Sequence, residues 1–183
     1  MFKQITQTIS QPLACIAGSG LYWLALAAFS LLNLIIALYY QYALNEWPCV
    51  LCIHIRLWFS LLLVLGIVGF FLRRHPWPRL LSHLASLLVA VGLGERSYML
   101  LGTEKGFVFS DCGFDAGLPG WLALEDWLPW LYRVETSCGY TPELLLGITM
   151  AEALMMLSVG LVLLTLGMSA AAAITLLKQN SHR

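Results

Sequence analysis

The chain has 183 residues, of which 60% are hydrophobic and 11% charged, with a mean hydropathy of +0.79. That composition excludes an ordinary soluble domain and fits one small integral membrane protein spanning residues 1–183. Ten basic and ten acidic residues give a formal net charge of zero, so total charge gives no support to a nucleic-acid or acidic-substrate partner, and the placement of the charges carries the information.

In chain order, Met1 to Ser19 holds a single Lys and its apolar run flows into a longer one, which is not the pattern of a cleavable signal peptide. A helix crossing a hydrocarbon core roughly 30 Å thick needs about 20 mostly apolar residues. The first such run covers 21–40, broken only by Ser30 and Asn33. A short link, 41–48, leads to Trp47-Pro48-Cys49-Val50-Leu51-Cys52, and the second run covers 53–72, with His54 and Arg56 at its start. Pro48 suits the first position of a helix, where its missing N–H is not needed, so this helix is predicted to begin around Cys49.

Arg73, Arg74 and Arg79 crowd the link to the third run, 80–101, which carries Glu95 and Arg96 near its end. A long link, 102–143, holds Cys112 and Cys138 and the segment LPGWLALEDWLPWLYR (118–133), whose tryptophans and leucines predict a short amphipathic helix lying at the membrane interface. The fourth run, 144–167, carries only Glu152. The expected fold is therefore an all-α membrane protein, a four-transmembrane-helix bundle with a short interfacial helix in its second long link. The runs are Leu-rich and do not alternate, which favours helices over a barrel.

Basic residues set the orientation of such a bundle. Lys3, Arg73, Arg74, Arg79, Lys178 and Arg183 fall on one side, six of the ten in the chain, which predicts that this side and both chain ends are cytoplasmic. The links 41–48 and 102–143 then face the exterior, in a bacterium the periplasm, where disulfides persist. Cys49, Cys52, Cys112 and Cys138 all lie on that side; Cys15 lies towards the cytoplasm and reads as a reduced bystander. His75 and His83 flank the basic link and read as solvated. Glu95 and Arg96 point in different directions, and Arg96 is expected in a structural ion pair, balanced by Glu152.

A Cys-x-x-Cys pair either ligates zinc or cycles between dithiol and disulfide, and zinc by this route usually needs a second pair at similar spacing. None exists: Cys112 and Cys138 stand far apart, which suits a second disulfide better than a metal cage. A thiol at a helix start feels the positive end of the helix, which favours the reactive thiolate. Cys52 and Arg56 are spaced i, i+4 and share a face. An arginine about one turn inside a span defaults to a functional role over simple snorkelling to the headgroups. It could donate a hydrogen bond to a carbonyl of a lipophilic electron acceptor such as a quinone. Trp47, His54, Trp58 and Phe59 are candidate pocket residues, with an aromatic belt at the membrane boundary as the alternative.

With Pro48-Cys49-Val50-Leu51-Cys52, Arg56, Asp111-Cys112-Gly113-Phe114, Leu118-Pro119, Trp127-Leu128-Pro129 and Cys138 set on four spans, the chain resembles the DsbB family of bacterial disulfide bond formation proteins over nearly its whole length. The resemblance implies an enzyme of the bacterial inner membrane that reoxidises a periplasmic thioredoxin-fold thiol oxidase of the DsbA type and passes the electrons to ubiquinone or menaquinone. It also implies the roles. The partner's cysteine attacks Cys112 and releases Cys138, Cys138 engages Cys49, and Cys52 is left as the thiolate facing the quinone, with Arg56 as the quinone-site arginine. Two other readings stand beside it. One is a quinone reductase of the vitamin K epoxide reductase type, against which the order of the cysteine pairs argues; the other is a non-enzymatic membrane protein with structural disulfides or a redox-sensing role.

Overall fold

An apolar run removed from water can satisfy its backbone only within its own segment, and four such runs here form long helices. The computed structural model describes residues 16–108, 113, 117–118, 123–145 and 147–181. Among these, the long helices are α1 (Gly20–Ala43), α2 (Val50–Leu72), α3 (Pro76–Lys105) and α6 (Met150–Ser181). Between α3 and α6 lie two one-turn helices, α4 (Leu124–Trp127) and α5 (Pro129–Tyr132), and a small antiparallel hairpin of β1 (Glu143–Leu145) and β2 (Ile148–Thr149). All four long helices are long and apolar enough to cross a membrane.

Local chemistry sets each end. The Ser19 side chain accepts from the Tyr22 N–H at the start of α1. Pro76 opens α3, its missing N–H costing nothing there, and Gly106 closes it at φ +77°, a left-handed conformation that glycine adopts without a Cβ clash. These signals extend α3 by four residues at each end beyond the expected 80–101. At the start of α6, Glu152 accepts from the Thr149 N–H at 3.1 Å while Thr149 Oγ1 accepts from the Glu152 N–H at 3.3 Å, a reciprocal capping box. The expected fourth span at 144–167 is corrected accordingly. Gly147 at φ +76° turns residues 143–149 into the hairpin, and the helix begins at Met150. It continues past Gly167 because Met168, Ala171, Ala172 and Leu176 are buried, which offsets the weak helix propensity of one glycine.

Of the segment 118–133, expected to form one short helix, the described residues 123–133 form two separate turns. Leu128 breaks it at φ −135°, ψ 60°, outside the α region that a residue before proline disfavours. Trp127 and Trp130 remain exposed on these turns, as an interfacial segment requires.

Helix α1 packs on α2, α2 on α3, and α3 on α6, while α1 and α6 leave a groove between them. Close approach of α1 and α2 depends on small residues, since a Cβ added at Gly66 would sit 2.9 Å from the Ala27 Cβ. Buried hydroxyls return to their own helix: Ser30 donates to the Leu26 carbonyl at 2.9 Å and Thr165 to the Leu161 carbonyl at 2.8 Å. They therefore cost the apolar interior little.

His83, expected in solvent, is buried instead. Its Nε2–H donates to the Ala17 carbonyl at 3.0 Å, and its ring lies 4.6 Å from that of Trp23. The early start of α3 at Pro76 carries it two turns into the bundle, away from the basic link. On the outer surface Leu21, Phe71 and Leu88 are more than 70% exposed among many other apolar side chains. A band of that extent is stable against hydrocarbon and not against water, so the chain is a multi-pass membrane protein.

Candidate functional site

The site grows from the first turn of α2. Cys49 is the N-cap, so the helix starts one residue later than expected, and Pro48 lies just ahead of the cap and not at the first helical position. In that role the Cys49 sulfur accepts from the Cys52 N–H at 3.3 Å, which holds the two sulfurs on one turn. Cys49 is 1% exposed and Cys52 half-buried.

Cys138 reaches the pair through a short backbone strap. The Pro48 carbonyl accepts from the N–H groups of Glu135 (3.0 Å) and Thr136 (3.3 Å), and Cys49 and Thr136 form a parallel bridge. Cys49 thus lies within hydrogen-bonding reach of both the Cys138 and the Cys52 sulfur. Those two contacts, Cys138 first, and then burial push the Cys49 thiol well above its ordinary value. Cys112 lies outside the described residues.

Arg56 stands one turn below Cys52 and is 5% exposed. Its Nη1 donates to Gln41 Oε1 at 2.6 Å and to the Leu131 carbonyl at 3.0 Å, and its Nη2 to the Ala37 carbonyl at 3.2 Å. The guanidinium therefore joins α1, α2 and α5, in addition to acting electrostatically on Cys52. A buried cation of this kind is tolerated only when its donors find acceptors, and these bonds take three of its five N–H groups. Tyr132 donates to Ser60 Oγ at 2.6 Å and Tyr42 to the Trp130 carbonyl at 2.9 Å, which fastens α5 to the bundle at two more points.

Cys52 and Arg56 both line a cavity of about 360 Å³ that opens between α1 and α6. Its walls are largely apolar, with Ala37, Ile55, Phe59, Ala153 and Leu157 prominent. Leu157 also lines a second apolar groove of about 510 Å³, with Leu26, Phe29 and Leu161, so both recesses lie along the gap between these helices. An apolar recess with one cation and one sulfur in its wall has the size and chemistry of a small-ligand site.

Of the aromatic candidates, Trp47 and Phe59 line the cavity. Trp58 packs over Gly92 of α3 instead, and His54 is half-buried outside the cavity lining. Gln41, missed in the sequence, holds Arg56 from behind the cavity wall because α1 runs to Ala43 and turns it inward, 3% exposed. Glu135, also missed, brings a carboxylate whose charge acts on Arg56.

The expected balance between Arg96 and Glu152 is not formed. Arg96 Nε lies 4.0 Å from Glu95, while Glu152 pairs with Lys105 at 2.8 Å. With α6 starting at Met150, Glu152 falls in its first turn, level with the last turn of α3.

The sequence model of the family described as "Disulfide bond formation protein DsbB" matches residues 19–168. The chain is similar to disulfide bond formation protein B 2 of Pseudomonas aeruginosa, 36% identical over 136 residues, covering 72% of this chain and 79% of the relative. It is similar to disulfide bond formation protein B of Shewanella sp. strain MR-4, 30% identical over 74% of this chain and 78% of the relative. The protein of the same name from Shewanella amazonensis is 34% identical over 78% of this chain and 85% of its own length.

Proposed function

The chain belongs to the DsbB family of disulfide bond formation proteins, and from that premise we propose that it reoxidises a DsbA-type periplasmic thioredoxin-fold protein and delivers the electrons to ubiquinone or menaquinone. We place it as one transmembrane domain in the bacterial inner membrane, with the cysteine end in the periplasm and both chain ends in the cytoplasm. The observation that carries this reading is the position of Cys49, within reach of Cys52 on one side and Cys138 on the other. A single sulfur that can bond to either neighbour is what relay between two disulfides requires.

In the proposed sequence, a thiolate of the reduced partner attacks Cys112 of a Cys112–Cys138 disulfide, forming a mixed disulfide and releasing Cys138. Cys138 attacks Cys49 of the Cys49–Cys52 disulfide, and Cys52 leaves as thiolate on the face shared with Arg56. The partner's second thiol resolves the mixed disulfide, so the partner departs oxidised and Cys112 departs as thiol. Cys112 then attacks Cys138, restoring that disulfide and returning Cys49 and Cys52 to the dithiol state.

A bound quinone supplies an acceptor for two electrons and two protons, which regenerates the Cys49–Cys52 disulfide. The cavity residues suit it: Cys52 and Arg56 stand in one apolar wall, and a lipophilic tail would follow the gap past Leu157 towards the second apolar groove. Arg56 fixes the charge near Cys52, and Gln41 fixes Arg56. Apolar closure by Phe59, Ala153 and Leu157 keeps water from competing for those donors. His54, outside the cavity lining, has no step in this sequence.

The test is to mix the purified protein in detergent with reduced DsbA-type partner and quinone and to count partner thiols over time. Catalytic loss of two thiols per partner is expected, and Cys112→Ser should stop it. Thiol loss that continues unchanged in Cys112→Ser would overturn the relay.

A further inference from the structure

Cys138 sits in an arch with two feet. The upstream foot is the pair of hydrogen bonds from Glu135 and Thr136 to the Pro48 carbonyl. The downstream foot is Thr141, 5% exposed, whose hydroxyl donates to the Glu104 carboxylate at the last turn of α3. Between them Gly139, at φ +119°, reverses the chain in a conformation closed to side chains with a Cβ.

Glu104 is itself held. Its side chain is only 12% exposed, and its other oxygen lies 4.0 Å from Lys105 Nζ. Lys105 in turn bonds Glu152 at 2.8 Å, the same carboxylate that caps α6 through the Thr149 N–H. The last turn of α3, the first turn of α6 and the arch are thus joined by one polar chain of four side chains.

We propose that Glu104, acting through Thr141, is a positioning residue that fixes the Cys138 sulfur against Cys49 for exchange between the two cysteine pairs. The proposal rests on the relay reading above for its purpose, though not for its geometry. With the upstream foot alone, Ser137 is the one residue between Thr136 and Cys138, and two Cα steps make a tether of about 7 Å that leaves the direction of the sulfur open. The second foot removes that freedom. Sulfur exchange needs an aligned approach, so orientation lost at the foot appears directly in the rate.

The test uses a Cys52→Ser, Cys112→Ser background, in which Cys49 and Cys138 are oxidised by diamide. The two thiols lose two electrons and two protons to the N=N bond of diamide, giving one disulfide and the hydrazine. The rate is read by quenching with an alkylating reagent, with peptide mapping to identify the Cys49–Cys138 product. Thr141→Val, nearly isosteric but without the hydroxyl, should slow cross-linking about tenfold, as expected for loss of a hydrogen bond to a carboxylate. Thr141→Ser should restore the rate of the background protein. Glu104→Gln should also slow it, and adding Thr141→Val to Glu104→Gln should slow it less than the two separate effects combined. Cross-linking at the background rate in Thr141→Val, or a Thr141→Ser variant as slow as Thr141→Val, would overturn the proposal. Neither quinone nor partner enters this measurement, so failure of the relay and failure of the foot are told apart.

Discussion

At the scale of single residues, the guanidinium of Arg56 is divided between structure and chemistry. It donates to Gln41, Leu131 and Ala37, so replacing it does more than remove a charge beside Cys52. Arg56→His should raise the KM for quinone about tenfold or more, because imidazole cannot reproduce the planar fork. It should also increase amide hydrogen exchange at Leu131 and Tyr132, measured by mass spectrometry. Unchanged exchange there would show that α5 is held without the arginine. Gln41→Leu leaves that cation short of an acceptor in a site too dry to replace it. It should destabilise the folded protein by about 1–3 kcal/mol, read as a fall in thermal midpoint in detergent. The link from Cys52 to Arg56 was legible in the sequence, because i, i+4 spacing on a helix dictates a shared face. Gln41 was not legible: the apolar run ends near Tyr40, and nothing local shows that the helix carries on to Ala43 and turns the amide inward. His83 was misread for the related reason that the neighbouring arginines suggest a wet link, whereas its burial depends on Tyr22 and Trp23 from another helix.

At the scale of elements, the spans were readable from hydropathy, while their ends followed from caps that hydropathy ignores. The capping box of Thr149 and Glu152 cuts the apolar run 144–167 and places Glu152 opposite Lys105. Thr149→Ala should cost about 1 kcal/mol of stability, measured by chemical denaturation. An unchanged denaturation midpoint would mean that the hairpin alone fixes the start of α6. The approach of Cys138 to Cys49 came in the sequence only from the family resemblance, since no local spacing shows a contact across 89 residues of chain. It depends on backbone bonds to Pro48, which leave no residue signature.

At the scale of the whole molecule, the four long helices pack in chain order and leave a trough between α1 and α6, with a cavity at one end lined by Cys52 and Arg56 and a separate apolar groove sharing Leu157 with it. In the proposed function, an acceptor dissolved in the membrane would enter through this gap and meet a thiolate supplied from the aqueous side. In the proposed orientation, a single cysteine placed at Arg74 in a cysteine-free variant should react with a membrane-impermeant maleimide only after the cells are permeabilised. One placed at Ser137 should react in intact spheroplasts, and the opposite pattern would invert the topology. Narrowing the trough should act on the acceptor alone: Ala153→Leu should raise the quinone KM while leaving oxidation of Cys49 and Cys52 by diamide unchanged.

In the proposed function, electrons leave the chain from Cys52 into a quinone after passing through Cys49. The most direct measurement is the absorbance of ubiquinone or menaquinone in detergent when reduced DsbA-type partner is added to the purified protein, beside the Cys52→Ser variant. The account requires one quinone reduced per partner oxidised, with no turnover in Cys52→Ser. Quinone reduction that persists in that variant, or none by the parent protein with either quinone, would contradict it.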